Sequence, residues 1–106
     1  MAEIAEYWQN YIDGAFVDGG AGRITVDNPG TGEALEEQAA ADGADVDRAV
    51  QAAKRVHDSG ALSDLRPVER GRMVQAMGRY ILDHVDEIAT VLTLEAGKPY
   101  WEAKIE

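Results

Sequence analysis

The chain has 106 residues; 45% are apolar, and 17 of those are alanine, so it is one small domain, or a piece of a larger one, with little bulk for a core. It has no cysteine, which excludes a disulfide scaffold, a cysteine-ligated zinc or iron–sulfur site, and a thiol nucleophile supplied by this chain. Its 20 acidic and 10 basic residues give a net charge of −10, which repels phosphate backbones and anionic membranes, so neither nucleic acid nor membrane is expected as a partner.

The first third reads as strands and turns. Trp8 stands near the start as an apolar anchor, with Trp101 its counterpart near the end. Tyr11 to Val17 places Asp13-Gly14 between apolar residues, and both residue types accept the positive φ of a two-residue hairpin turn. Asp18 to Gly22 is a flexible loop. Its glycines are followed by a strand rather than a helix, which argues against a dinucleotide phosphate loop. Arg23 to Val26 is short and β-branched and reads as a strand. Asn28-Pro29-Gly30-Thr31-Gly32 is dense turn chemistry, and Glu33 to Ala39 reads as another strand. Strand neighbours Glu36 and Glu37 point to opposite faces, so they do not form an acid–base couple.

The rest reads as helices. Asp42 caps the first, with Asp45 in its first turn and Val46, Ala49, Val50, Ala53 and His57 on one face; Gly60 ends it. Pro67 opens the second, whose apolar face is Val74, Met77, Gly78, Ile81 and Val85. Asp83-His84 marks a short break. The third carries Val85, Ile88, Ala89, Leu92 and Ala96, and Gly97 stops it. Gly97-Lys98 is no nucleotide loop, because Leu92 and Pro99 stand where that motif needs Gly and Ser or Thr. Pro99 opens a fourth helix, which is expected to be cut off near Glu106 after about two turns. His57 and His84 read as ordinary helix residues, since no nucleophile or carboxylate is spaced to partner them.

No apolar run reaches the ~20 residues that span a bilayer, and the acidic start, Met1 to Glu6, lacks the basic and apolar regions of a signal peptide. The expected location is the cytoplasm. A diffuse acidic excess with 7 Arg and only 3 Lys suits a salt-loving organism, where a Debye length of about 3 Å at ~1 M salt screens the self-repulsion. The expected fold class is α+β: residues 1–40 as strands and turns, then 42–106 as three helices and a truncated fourth.

Asn10 to Val17 resembles the opening hairpin of the aldehyde dehydrogenase superfamily, and Asp27 to Glu33 its Asn-Pro-x-Thr-Gly-Glu turn. Asp45 to Ala53 resembles its first helix, Glu69-Arg70-Gly71-Arg72 the start of its second, and Leu94 to Pro99 its Gly-Lys-Pro stop. Five segments in this order resemble the N-terminal fifth to quarter of those enzymes, at the edge of an α/β, Rossmann-like coenzyme-binding domain. His57 and Leu62 stand where that pattern carries aromatics, and Arg66 where it carries a Ser or Asp cap.

The resemblance implies a parent enzyme that oxidises an aldehyde to a carboxylic acid with NAD or NADP. A cysteine thiolate attacks the aldehyde, the cofactor takes the hydride, and a glutamate activates the water. It implies no catalytic or cofactor-binding residue in this segment, no cofactor for the segment by itself, and the remainder of such an enzyme as its partner. It also implies a monovalent cation site in the full-length enzyme from main-chain oxygens at Val26 and Asp27 and the carboxylate of Glu95, a hard donor set. A reading from another class stands beside this one: a free-standing acidic interaction module, or a remnant that self-associates through exposed apolar faces.

Overall fold

The computed structural model describes residues 1–106. Five strands precede four helices: β1 (Tyr7–Trp8), β2 (Asn10–Ile12), β3 (Ala15–Val17), β4 (Arg23–Asp27), β5 (Ala34–Ala39), α1 (Gly43–Asp58), α2 (Pro67–Asp83), α3 (Val85–Ala96) and α4 (Tyr100–Ala103). This is the mixed α+β order expected from the sequence. β2 and β3 form the hairpin at Asp13-Gly14, whose φ angles of 53° and 82° are those of a primed turn. Tyr11 and Phe16 face each other across it, edge to face, with ring centroids 5.1 Å apart.

The second sheet has the order β1-β5-β4. β4 and β5 are antiparallel, with a register shift between Val26 and Asp27 that leads into the Asn28 turn. In that turn the Asn28 side chain accepts from the Gly30 amide at 2.8 Å, and its carbonyl accepts from Gly32 at 2.7 Å. β1 is an addition to the sequence reading. Two residues long, it lies parallel to β5, with Tyr7 opposite Glu37 and Trp8 opposite Gln38. A strand this short has no period of its own; β5 creates it by offering a free edge.

The glycine loop docks on the start of α1. The Gly20 amide donates to Asp45 Oδ2 at 2.7 Å, so an aspartate occupies the place a phosphate would need. At Gly19 any Cβ would overlap the Ala40 main chain. Asp42 and Asp45 complete a reciprocal cap, Asp45 N–H to Asp42 Oδ1 at 2.9 Å and Asp42 N–H to Asp45 Oδ2 at 3.0 Å. Two backbone amides and Arg48 together hold the Asp45 carboxyl down to about 2.

The apolar stripe expected on α1 exists, but it is not the face that packs. Asp45 and Ala52 are buried on the edge turned to the hairpin, whereas Val46 and Val50 stand open. The reason is charge and loop geometry: the loop amide seizes Asp45, and Arg55 binds Asp13 at 2.7 Å, which together set the rotation of the helix. α2 buries no residue at all. His84 is the only residue between α2 and α3, and its φ of −116° and ψ of 20° break the helix there. α4 is a single turn rather than two, with Pro99 just ahead of it. Tyr100 O–H and Lys104 Nζ tie that turn to Asp86, at 2.8 and 2.7 Å.

At the N-terminus, the Ala2 amide donates to Thr90 Oγ1 at 2.9 Å, and the fully buried Thr90 hydroxyl donates in turn to the Asp86 carbonyl at 2.6 Å. Only 7 of 106 residues are buried, and the apolar ones among them are all alanine. The radius of gyration is 17.0 Å, against about 13 Å for a compact chain of this length. The molecule is a shell, 16 Å in its thinnest dimension, with its apolar faces turned outward. No helix is long and apolar enough to cross a membrane.

Candidate functional site

The densest polar contact between sheet and helices lies where β1, β5 and α3 meet. β5 alternates, so Glu36 turns inward and is 4% exposed, while Glu37 turns outward to Arg23 at 2.7 Å. The opposite orientation expected for this pair is what the structure has. Burying a carboxyl demands partners. Trp8 Nε1 donates to Glu36 Oε2 at 2.5 Å, and Gln38 Nε2 donates to Glu36 Oε1 at 3.3 Å. The same Gln38 amide reaches Glu95 Oε1 on α3 at 3.4 Å.

Glu95 therefore sits beside Glu36, and two like charges in so dry a place cannot both form. A hydrogen bond to Glu36, partial burial and the Glu36 charge push the Glu95 carboxyl up to about 7. With the two carboxyls in direct contact, no sugar or acyl group fits between them as between an acid and a base. The chain has no cysteine, so it offers no thiol nucleophile there. What the arrangement does is tie β1, β5 and α3 together through a carboxyl–carboxyl hydrogen bond and two donor groups, the Trp8 indole and the Gln38 amide.

The residues singled out for a cation fall in the same neighbourhood by different routes. Val26 is the β4 partner of Glu36 in the ladder, so one residue step separates it from the Glu95 pair. Asp27 follows at the register shift, with its side chain exposed. No three carboxylate or imidazole groups cluster anywhere in the chain, so any ion here would depend on main-chain oxygens. The sequence reading took Trp8 as an apolar anchor and set Glu36 against Glu37, and it missed Gln38 and the contacts that join the three. Alternation in β5 marks Glu36 as inward, but its pairing with Glu95 spans 59 positions and has no local signal.

One further contact fixes the site. Gly97 ends α3 at φ 70°, and a Cβ there would lie 3.1 Å from Pro29 Cγ. The Asn-Pro turn and the Gly-Lys-Pro stop, 68 positions apart, thus pack on each other and hold the end of α3 over the sheet. His57 and Leu62 line an open groove between the hairpin tip and the end of α1. His84 stacks on Tyr80 with centroids 3.9 Å apart, and its Nδ1 is 2.8 Å from the Tyr80 carbonyl. Neither histidine has a catalytic partner.

The fold is a hairpin, a three-stranded sheet and four helices, with two turn motifs packed on each other. Residues 16–106 match the aldehyde dehydrogenase family model. The chain belongs to that family. It is 38% identical over 96 residues to N-succinylglutamate 5-semialdehyde dehydrogenase of Burkholderia thailandensis, covering 91% of this chain and 19% of that one. The fold superposes with a TM-score of 0.87 on an NAD-dependent aldehyde dehydrogenase from Sinorhizobium meliloti, at 33% identity over 95% of this chain and 20% of that one. It superposes with a TM-score of 0.86 on a point mutant of betaine aldehyde dehydrogenase from Staphylococcus aureus in complex with NAD+, at 30% identity over 92% and 20%. The chain spans about a fifth of the length of the relatives it matches.

Proposed function

We propose that this chain is the N-terminal portion of an NAD- or NADP-dependent aldehyde dehydrogenase that oxidises an aldehyde to a carboxylic acid in the cytoplasm. Within that enzyme, residues 1–106 brace the coenzyme-binding domain and carry no catalytic or cofactor-binding residue. The observation that carries the reading is the packing of Gly97 on Pro29, which brings together two segments of the family pattern. The chemistry needs a nucleophile and a base to act on the aldehyde while the cofactor takes the hydride. Without cysteine, this chain cannot supply the thiolate.

The coding sequence downstream of Glu106 tests the proposal. A frame that continues for several hundred codons and supplies a cysteine and a glutamate in family context supports it. A stop codon directly after Glu106 overturns the enzymatic role and leaves shared ancestry alone. The same reading assigns a monovalent cation to Val26, Asp27 and Glu95 in the full-length enzyme. Sodium or potassium retained by that enzyme and lost on Glu95→Ala supports the assignment, and unchanged ion content removes it.

A further inference from the structure

The segment from Ala2 to Trp8 touches β5, the glycine loop and α3, and all of these contacts are internal to the chain. The Glu6 carbonyl accepts from the Glu37 amide at 3.0 Å, and β1 follows as a parallel strand on the edge of β5. Tyr7 O–H donates to Asp18 Oδ1 at 2.9 Å, at the start of the glycine loop. Trp8 donates to Glu36 and lines a groove with Ile88 and Leu92 of α3. The Ala2 amide reaches Thr90 across 88 positions of sequence. Its seat is the most enclosed place in the molecule, for Thr90 and its neighbour Ala89 are both 0% exposed.

We propose that residues 2–8 form a strap, a segment that docks and releases as a unit and whose docking holds α3 and α4 against the sheet. The C-terminal end of α3 has ties of its own, Glu95 beside Glu36 and Gly97 on Pro29. The strap supplies the hold at mid-helix, through Ala2 on Thr90. From there the bonding runs on. The Thr90 hydroxyl donates to the Asp86 carbonyl, and the Asp86 carboxylate takes Tyr100 O–H and Lys104 Nζ from the α4 side. Lifting Ala2 therefore loosens one end of a continuous run of polar contacts whose other end is α4. The strap is also built to release. Its ladder is two residues long, where a typical strand has about five or six, and the residues before it have no regular structure. Few bonds and exposed backbone place a segment at the low end of local stability. The β2–β3 hairpin, the glycine loop and α1 are joined by Arg55 on Asp13 and Gly20 on Asp45, bonds in which the strap has no part, so they keep their order when it lifts.

Hydrogen–deuterium exchange of the 106-residue chain, resolved by residue, tests the strap with two variants that leave α3 and α4 unaltered. Ala2→Pro takes away the Ala2 N–H at an exposed position, and Tyr7→Phe takes away the hydroxyl that holds Asp18. Each is expected to quicken exchange by about two- to tenfold, the size of one lost hydrogen bond, at the Glu37 amide, along α3 around Thr90 and in α4. The amides of β2, β3 and α1 keep their rates. In the double variant the two effects multiply, because both act on one release. A response confined to the neighbours of each substitution overturns the proposal, since the segment then does not move as a unit. Unchanged exchange in α3 and α4 overturns it as well, and so does a rise spread evenly over every element.

Discussion

At the scale of single residues, two positions carry disproportionate weight. Gly97 combines a left-handed backbone with close contact to Pro29, so a side chain there is strained twice. Gly97→Ala is expected to lower the unfolding free energy by about 1–2 kcal/mol from the backbone alone, read as a reduced urea midpoint at unchanged slope. Glu95 sets a pH dependence. Its folded-state pKa of about 7 lies above the ordinary 4.5, so the folded chain holds a proton that the unfolded chain releases. Its contribution is complete below about pH 4.5 and is lost as pH rises through about 7. Glu95→Gln should flatten stability across that window, measured with tetramethylammonium as the only small cation so that no bound metal intrudes. A fall in stability as steep as in the parent chain would remove Glu95 as its cause. Asp45 acts with the opposite sign: its depressed carboxyl supports the fold above its ordinary 3.8, and that support drains away as pH falls toward about 2.

At the scale of elements, α1 and α2 differ in what supports them. α1 has a reciprocal cap, a loop amide on Asp45 and an ion pair to the hairpin. α2 has the Glu69 side chain on the Arg66 amide at 2.9 Å and two interior glycines in open space. A helix of 17 residues without tertiary burial is marginal in water. Gly78→Ala should therefore stabilise α2 by about 0.5–1 kcal/mol, seen as a gain in helical ellipticity. Hydrogen exchange should find α2 amides less protected than those of β5 and α3. Equal protection would mean that α2 is covered in solution. The same contrast explains what was legible in the sequence. Turns and caps are local chemistry, so Asp13-Gly14, Asn28-Pro29, Asp42 and Gly97 announced their elements. β1 and the Glu36–Glu95 pair were silent, because each exists only through a partner far along the chain. The stripe on α1 was read as one apolar face, and periodicity reports which side wants cover and not which side has it.

At the scale of the whole molecule, a thin shell with a net charge of −10 has little core to oppose its own repulsion. Raising sodium chloride from ~0.1 M to ~1 M shortens the Debye length from about 10 Å to about 3 Å. The thermal midpoint is expected to rise over that range, and a flat or falling midpoint would argue against charge repulsion as the weakness. The bond from Ala2 to Thr90 adds a constraint of another kind, one in time. A ribosome delivers residues in order, so the first amides wait for α3 to be synthesised before they find their acceptor. The β2–β3 hairpin closes through neighbours and is free to form early, whereas β1 can settle only after β5 emerges. The β1 segment is thus made before its partners and placed only after them, and while it waits its strand edge and the anchor Trp8 stand exposed to whatever binds nascent chains.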